Sequence, residues 1–171
     1  MTLHAEPVIQ IRPYVAADRR ACLTVFRSNL PRYFDSSELP EFEAFLDKPV
    51  GDYFVLELGS SVVACGGCYV RAGTGRLSWG MVSREKHRAS IGSILLAWRI
   101  DQLFQLPEIS EIAIDTSQHV AGFFTRHGFC TTGQVTDGFG AGIDQVCMSL
   151  QRINWRLRAS ASLHPTAAGG D

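Results

Sequence analysis

Three short runs with strand-like alternation, Tyr53 to Leu58, Ser61 to Val70 and Arg76 to Ser83, follow one another, separated by a Gly-Ser turn and by a short turn holding Gly-Thr-Gly. Connections that short join antiparallel neighbours, since a parallel crossover needs a dozen residues or more. The middle of the chain is therefore a meander. Directly after it the period changes: Ile91, Ile94, Leu95, Trp98 and Phe104 recur at helical spacing from Ala89 to Leu106, and Pro107 ends the run. A helix leaving the last strand of a meander must cross to a new strand, so the fold has to be a mixed sheet.

The flanking segments agree. Val8 to Arg12 reads as a strand stopped by Pro13, Val15 to Phe26 as a helix, and Ser37 to Asp47 as a second helix with Ser37 as its N-cap and Phe42, Phe45 and Leu46 on one face. Glu111 to Thr116 is a strand with Ile112 and Ile114 on one side and Glu111 and Asp115 on the other. Gln118 to His127 is a helix closed by Gly128 and Phe129, the sequence form of a Schellman stop. Gln134 to Val135 and Gln145 to Leu150 complete the strands, joined by a Thr136–Asp144 loop holding three glycines. The order is strand, two helices, three strands, helix, strand, helix, two strands. It implies an α/β fold of the α+β kind, with a mixed sheet and helices on both faces.

At 171 residues, the chain has room for one ordinary domain, expected over 1–151, with 152–171 as a flexible C-terminal tail. Its net charge of -1 provides no basic field, which argues against nucleic acid or an anionic membrane as a partner. The longest apolar stretch, Ile91 to Ile100, is broken by Ser93 and Arg99 and is too short to cross a bilayer. The first residues lack the apolar core of a secretion signal, and five cysteines form no regular framework. Reduced thiols in the cytoplasm are expected.

The densest chemical signal is the strand-to-helix junction from Ser83 to Ser93. A helix N-terminus presents unpaired N–H groups and a positive dipole end, which suits phosphate. Ala89, Ser90, Gly92 and Ser93 are small enough to let oxygens approach the backbone, and Lys86, His87 and Arg88 can add charge from the rim. An ordinary loop with solvated basic residues explains the same stretch, and these residues alone do not decide between the two.

In this context the junction resembles the acetyl-CoA motif of the GNAT superfamily of N-acetyltransferases, in which a Gln or Arg is followed, after two residues, by Gly, any residue, and Gly or Ala. His87 falls at the Gln/Arg position, Ser90 at the first Gly and Gly92 at the last; only Gly92 is a strict match. Downstream, Asp115-Thr116-Ser117 and Phe123-Phe124-Thr125-Arg126-His127-Gly128-Phe129 are similar to the family's second motif, a strand and a helix ending Phe-Tyr-x-x-x-Gly-Phe. The resemblance spans roughly residues 8 to 151. It implies a mostly antiparallel sheet of about seven strands with a central parallel pair, here Arg76–Ser83 and Glu111–Thr116, splayed to admit acetyl-CoA.

It further implies roles. Backbone groups of Met81, Val82 and Ser83 would hold the pantetheine arm and acetyl carbonyl. The segment His87, Arg88, Ala89, Ser90, Ile91, Gly92 and Ser93 would cradle the pyrophosphate. An amine, free or on a peptide or protein, would enter from the opposite side, past Tyr33, Phe34 and Phe139, with Tyr69 and Trp79 within reach. Many relatives protonate the leaving thiolate with the Tyr of the second motif; Phe124 occupies that place and cannot donate. Ser117, water or an unassisted thiolate would then have to serve. Asp115, at the carboxyl end of its strand, is the leading base, unless it caps the following helix. Glu111 shares its face, while Glu85 and His119 read better as surface residues. A homodimer is open, since relatives commonly pair.

Cys65-Gly66-Gly67-Cys68 has CxxC spacing but no second pair and lies inside a strand-like run, so neither a metal nor thioredoxin-like chemistry is expected. A Rossmann-type nucleotide binder is disfavoured by the preceding meander and by the lack of GxGxxG with a following acidic residue. The remaining alternative to an acetyltransferase is a GNAT-fold acyl-CoA-binding module with little turnover, which Phe124, His87 and Ser90 keep open.

Overall fold

The meander forms because its turns carry residues able to adopt positive φ. The two-residue turn Ala72–Gly73, at φ 50° and 76°, has the type I′ geometry that matches strand twist, and Gly59 at φ 65° serves the turn before it. In the computed structural model, which describes residues 7–163, these turns link β2 (Asp52–Leu58), β3 (Ser61–Arg71) and β4 (Thr74–Val82). β1 (Ile9–Pro13) adds antiparallel to β2. A 3₁₀ turn (Ala16–Asp18), α1 (Arg19–Ser28), a second 3₁₀ turn (Ser36–Glu38) and α2 (Leu39–Asp47) lie between them.

After β4 a 3₁₀ turn (Arg84–Lys86) leads into α3 (Ile91–Phe104), which crosses to β5 (Glu111–Ser117). Then come α4 (Ala121–Arg126), β6 (Cys130–Gly140), β7 (Ile143–Gln151) and α5 (Arg152–Leu163). The seven strands form one sheet in the order β1-β2-β3-β4-β5-β7-β6, antiparallel except for β4 and β5. This is the mixed, mostly antiparallel sheet with a central parallel pair that the sequence predicts.

Each face of the sheet has its own core. Leu56, Ala64, Cys68, Leu77 and Ile112 pack with Leu95, Leu96 and Ile100 of α3 on one face. Tyr53, Val55, Cys65 and Met81 pack with Cys22 and Phe26 of α1 and Phe42 of α2 on the other. Cys65 and Cys68 therefore point to opposite faces of β3, as a three-residue offset on a strand demands. Ahead of α1, Arg12 holds both oxygens of the buried Asp18, at 2.7 and 2.8 Å, and also reaches Glu57 at 2.6 Å.

Several expected boundaries move, each for a local reason. Asp35 rather than Ser37 is the N-cap of the segment opening α2: its carboxylate accepts the Ser37 N–H at 2.8 Å. α4 starts three residues later than Gln118 because the Gln118 side chain is spent elsewhere. It donates to the Gly142 carbonyl and accepts the Asp144 N–H, both at 2.9 Å. The expected Thr136–Asp144 loop is mostly strand, since β6 and β7 continue to a tight turn with a register irregularity between Val135 and Gly140. Asp137 and Asp144 satisfy that irregularity, accepting the N–H groups of Gly142 and Asp137 at 2.6 and 3.0 Å.

The segment expected as a tail from residue 152 is helical to Leu163, anchored by the Arg152 guanidinium on the carbonyls of Phe104, Leu106 and Ile109. The rest of that expectation, residues 164–171, lies outside the described residues. On α3 the apolar surface is also narrower than the pattern suggests. Ile94 and Trp98 are exposed, whereas Arg99, read as a break in the apolar run, is buried at 4% exposure.

Candidate active site

The parallel strands β4 and β5 are paired only at Gly75–Ile112 and Arg76–Ala113, yet β4 runs on to Val82 and β5 to Ser117. Their carboxyl ends diverge and leave a split in the middle of the sheet. A bulge drives the divergence. Between the β3 pairings Gly67–Ser78 and Cys65–Met81, the residues Trp79 and Gly80 face Gly66 alone. Trp79 is held at φ 38°, an unusual backbone for a bulky residue. What holds it is packing: its ring sits 5.0 Å from Phe42 and 6.2 Å from Phe34, and the Tyr53 hydroxyl donates to its carbonyl at 3.0 Å. Burial raises the Tyr53 phenol, which stays a neutral donor.

At the mouth of the split the chain turns into α3. Arg88 and Ser90 both take left-handed backbone, at φ 66° and 62°, and so direct the loop amides before Ile91 begins the helix. The carboxyl end of β4 is pinned to α1. Asn29, 2% exposed, donates from Nδ2 to the Val82 carbonyl at 2.9 Å, and the Arg84 N–H donates to Ser28 Oγ at 3.1 Å. His87 Nε2 lies 2.9 Å from the same Val82 carbonyl and must carry the proton there, because a carbonyl only accepts. The Tyr33 ring stands edge-on to His87 at 5.2 Å, with the Arg84 guanidinium over its face.

α4 forms the other wall. Its stop has both Schellman bonds, Phe129 N–H to Phe124 O at 3.2 Å and Gly128 N–H to Thr125 O at 3.0 Å, with Gly128 at φ 93°. The two aromatic rings joined by that motif, Phe124 and Phe129, meet at 5.4 Å inside the core. His127 clips this helix to α3: Nδ1 donates to the Phe123 carbonyl at 2.8 Å, leaving Nε2 to accept from Ser93 Oγ at 3.0 Å.

Of the expected cofactor residues, Met81, Val82 and Ser83 lie at the β4 end and His87 to Ser93 form the turn beside it, whereas Phe124 is buried in the core against Phe129 and does not line the opening. Two details sharpen their use. The Met81 side chain is buried against α1 and α2, so only its backbone is available. The Ser83 N–H is already bonded to Val63 O at 2.7 Å. Strand alternation then turns the Val82 N–H the other way, towards the split.

A Cβ added at Gly92 would meet only ordinary contacts, 3.5 Å to Phe123 and 3.6 Å to Val82. Nothing in the folded chain requires a glycine there, and the residues fit a diphosphate lying against the first turn of α3.

The expected acceptor residues do not share one pocket. Tyr33 stands at the carboxyl end of β4, whereas Tyr69 pairs with Arg76 near its start. Tyr69 and Trp79 line a separate cavity of about 430 Å³ with Phe45, Val50 and Ser78. Phe34 is partly buried against Phe26 and Trp79. Phe139, half-exposed, projects from the β6–β7 hairpin near the end of β5. Asp115 is exposed and sits opposite Cys147, whose thiol it holds above its ordinary range through a hydrogen bond. It does not cap α4, whose N-cap position is Val120. Ser117 pairs with Gln145 at the end of β5, Glu111 is half-buried at its start, and Glu85 and His119 are exposed.

Comparison with known proteins decides the family. The acetyltransferase (GNAT) family model matches residues 19–129. The chain belongs to the GNAT acetyltransferase family. Membership of this family implies acetyl transfer. No curated protein sequence matches the chain.

Among solved structures it is similar to the ribosomal-protein alanine N-acetyltransferase from Escherichia coli (TM-score 0.71, 15% identity, covering 84% of this chain and 94% of that one). It is also similar to a GNAT-family acetyltransferase from Streptococcus pneumoniae (0.66, 18%, 84% and 99%). A third is a spermidine N-acetyltransferase chimera from Vibrio cholerae (0.66, 13%, 86% and 98%). At such identities the likeness is one of fold. No helix among the described residues is long and apolar enough to cross a membrane.

Proposed function

We propose that this GNAT chain is an N-acetyltransferase that moves the acetyl group of acetyl-CoA to a primary amine by direct attack within a ternary complex. The observation that carries the reading is the split of β4 from β5 beyond Arg76–Ala113, with the N-terminus of α3 at its mouth. The amides from His87 to Ser93 hold the pyrophosphate, and the helix dipole favours its charge. The Val82 N–H, turned into the split, donates to the acetyl carbonyl oxygen and strengthens as charge develops there.

On the opposite face, Asp115 takes the proton of the incoming amine, an assignment its exposure supports. Ser117, one turn of strand further on, orients water at the reacting end. Phe124 contributes shape but no proton. Tyr33 and Phe34 on one side and Phe139 on the other border the acceptor's path, while Tyr69 and Trp79 line a cavity for a longer acceptor. Relatives of this fold act on a protein alanine and on spermidine, and both acceptors present an amine. Reduced thiols and cytoplasmic action complete the reading.

The alternative, a binding module without turnover, loses part of its basis at Ser90. That residue adopts the left-handed backbone a glycine would supply, so the phosphate turn keeps its shape despite the substitution. A panel of metabolite amines, aminoglycosides, polyamines and peptides, read by thiol release from acetyl-CoA, tests the proposal. Release dependent on one acceptor class is expected. Tight acetyl-CoA binding with no release across the panel would instead identify the module.

A further inference from the structure

Arg99 is a buried cation that meets no carboxylate among the described residues. It is 4% exposed, its Nε has no hydrogen-bond partner, and Nη1 reaches only the Gly67 carbonyl, at 3.4 Å. The titratable groups facing it are Cys68 and Cys65 on β3 and Tyr53 on β2. Burial pushes the Cys68 thiol up to about 11 and the Tyr53 phenol higher than usual, so neither supplies an anion at neutral pH. A guanidinium taken out of water without an anion is costly, and a ligand that brings negative charge close to it offsets that cost.

The placement says which part of a ligand that is. The guanidinium lies across β3 and β4, in space left by two glycines. A Cβ at Gly66 would come within 2.9 Å of Nη1 and 3.2 Å of Nε, and one at Gly80 within 2.7 Å of both Nη1 and Nη2. Nε is thus over β3 and Nη2 over β4, the strand that borders the split. Gly80 itself is exposed and lies beyond the last β4–β5 pair. Arg99 is also about 10 Å further along α3 than Gly92, at ~1.5 Å per residue. It therefore stands well away from the phosphate turn, towards the reacting end of a ligand threaded through the split.

Given acetyl transfer in the split, on which this inference rests, negative charge appears at that end once per turnover. The amine nitrogen bonds to the acetyl carbon, and its proton passes to the base. The carbon–sulfur bond breaks, and its electron pair leaves on sulfur as the coenzyme A thiolate. Phe124 has no proton to give it. We propose that Arg99, beneath Gly80, is the positive charge that stabilises the departing thiolate in place of a proton donor.

Calorimetry on the full chain with coenzyme A and desulfo-coenzyme A, from pH 7 to 9.5, reads this without turnover. In the wild type, coenzyme A should gain affinity over the desulfo compound as pH rises, about tenfold for each unit by which the bound thiol is more acidic than the free one. Arg99→Met should lose that gain and lower kcat about a hundredfold with little change in the KM for acetyl-CoA. Arg99→Lys, which keeps a charge, should retain part of both.

Equal affinities for the two ligands at all pH values in the wild type would overturn the proposal, whether or not either variant folds. So would an Arg99→Met protein with an unchanged pH response. Failure of acetyl-CoA itself to bind the wild type would instead remove the functional reading, and with it this proposal.

Discussion

Gly92→Ala separates what the fold needs from what the ligand needs. Gly92 is the second residue of α3, and an added methyl would sit 3.5 Å from Phe123 and 3.6 Å from Val82, within ordinary contact. Gly costs a helix roughly 0.5–1 kcal/mol relative to Ala, less near an end. The substitution should therefore stabilise the protein by about 0.5 kcal/mol, or about 1–2 °C in Tm for a chain this size. The same methyl occupies the surface on which the diphosphate is proposed to lie, so acetyl-CoA affinity should fall at least tenfold. Gly92→Glu should go further: a carboxylate at a helix N-terminus is tolerated by the dipole, yet it repels phosphate and should abolish binding. Thermal melts and titration calorimetry on the same preparations give both numbers. A variant that melts lower and binds acetyl-CoA as tightly as wild type would refute the reasoning, because Gly92 would then serve the fold alone.

Asp115→Asn should lower kcat by about a hundredfold or more, with little loss of stability because the side chain is exposed; unchanged turnover would place the base elsewhere. Ser90→Gly relieves a left-handed serine, worth roughly 1–2 kcal/mol, against about 0.5–1 kcal/mol of extra chain entropy, so a small rise in Tm is expected and a fall would contradict the φ of 62°. The hydrogen bonds from Arg12 hold the Asp18 carboxyl below the usual carboxylate range. Its contribution is then complete above the unfolded value of about 4 and lost as pH falls through the folded one. Asp18→Asn should cost about 2 kcal/mol at pH 7 and flatten the acid limb of the stability curve; denaturant midpoints between pH 7 and 2.5 report both.

Where the sequence is legible, a local rule and the tertiary structure ask for the same residue. Gly128–Phe129 ends α4 as the motif predicts because the stop is made of bonds within six residues. The meander follows from turns two residues long. Arg99 escapes a one-dimensional reading because burial of an arginine depends on residues far along the chain, Gly66 on β3 and Gly80 on β4. The sequence counterpart is a coincidence: glycines on neighbouring strands, facing a helix that carries one large cation in its apolar run. The β6–β7 hairpin looks like a glycine loop in sequence because Gly138 and Gly140 obscure alternation. Yet a Cβ at Gly138 would lie 2.6 Å from that of Gln145, which makes this glycine a condition of the pairing. The C-terminal helix lacks a clear apolar period in sequence, yet it has local and tertiary support. Arg, Ala and Leu are good helix formers, and Arg152 has three carbonyls to dock on.

The departures from the family pattern now fall into two physical kinds. At the phosphate end the ligand is proposed to be held by backbone amides, so side chains there can change while the φ and ψ angles are kept. Ser90 does this by accepting a left-handed backbone, and His87 by turning its ring to the Val82 carbonyl. At the proposed reacting end, chemistry would depend on a side chain, and Phe124, where the resemblance implies a Tyr, has no hydroxyl to offer. The buried guanidinium of Arg99 is proposed as a remedy of a different sort, lowering the energy of the thiolate without transferring a proton. It requires room that ordinary side chains would fill. The two ends should therefore respond differently to substitution. Gly66→Ala or Gly80→Ala, by displacing Arg99, should depress turnover while leaving acetyl-CoA affinity nearly intact, the reverse of the pattern expected at Gly92.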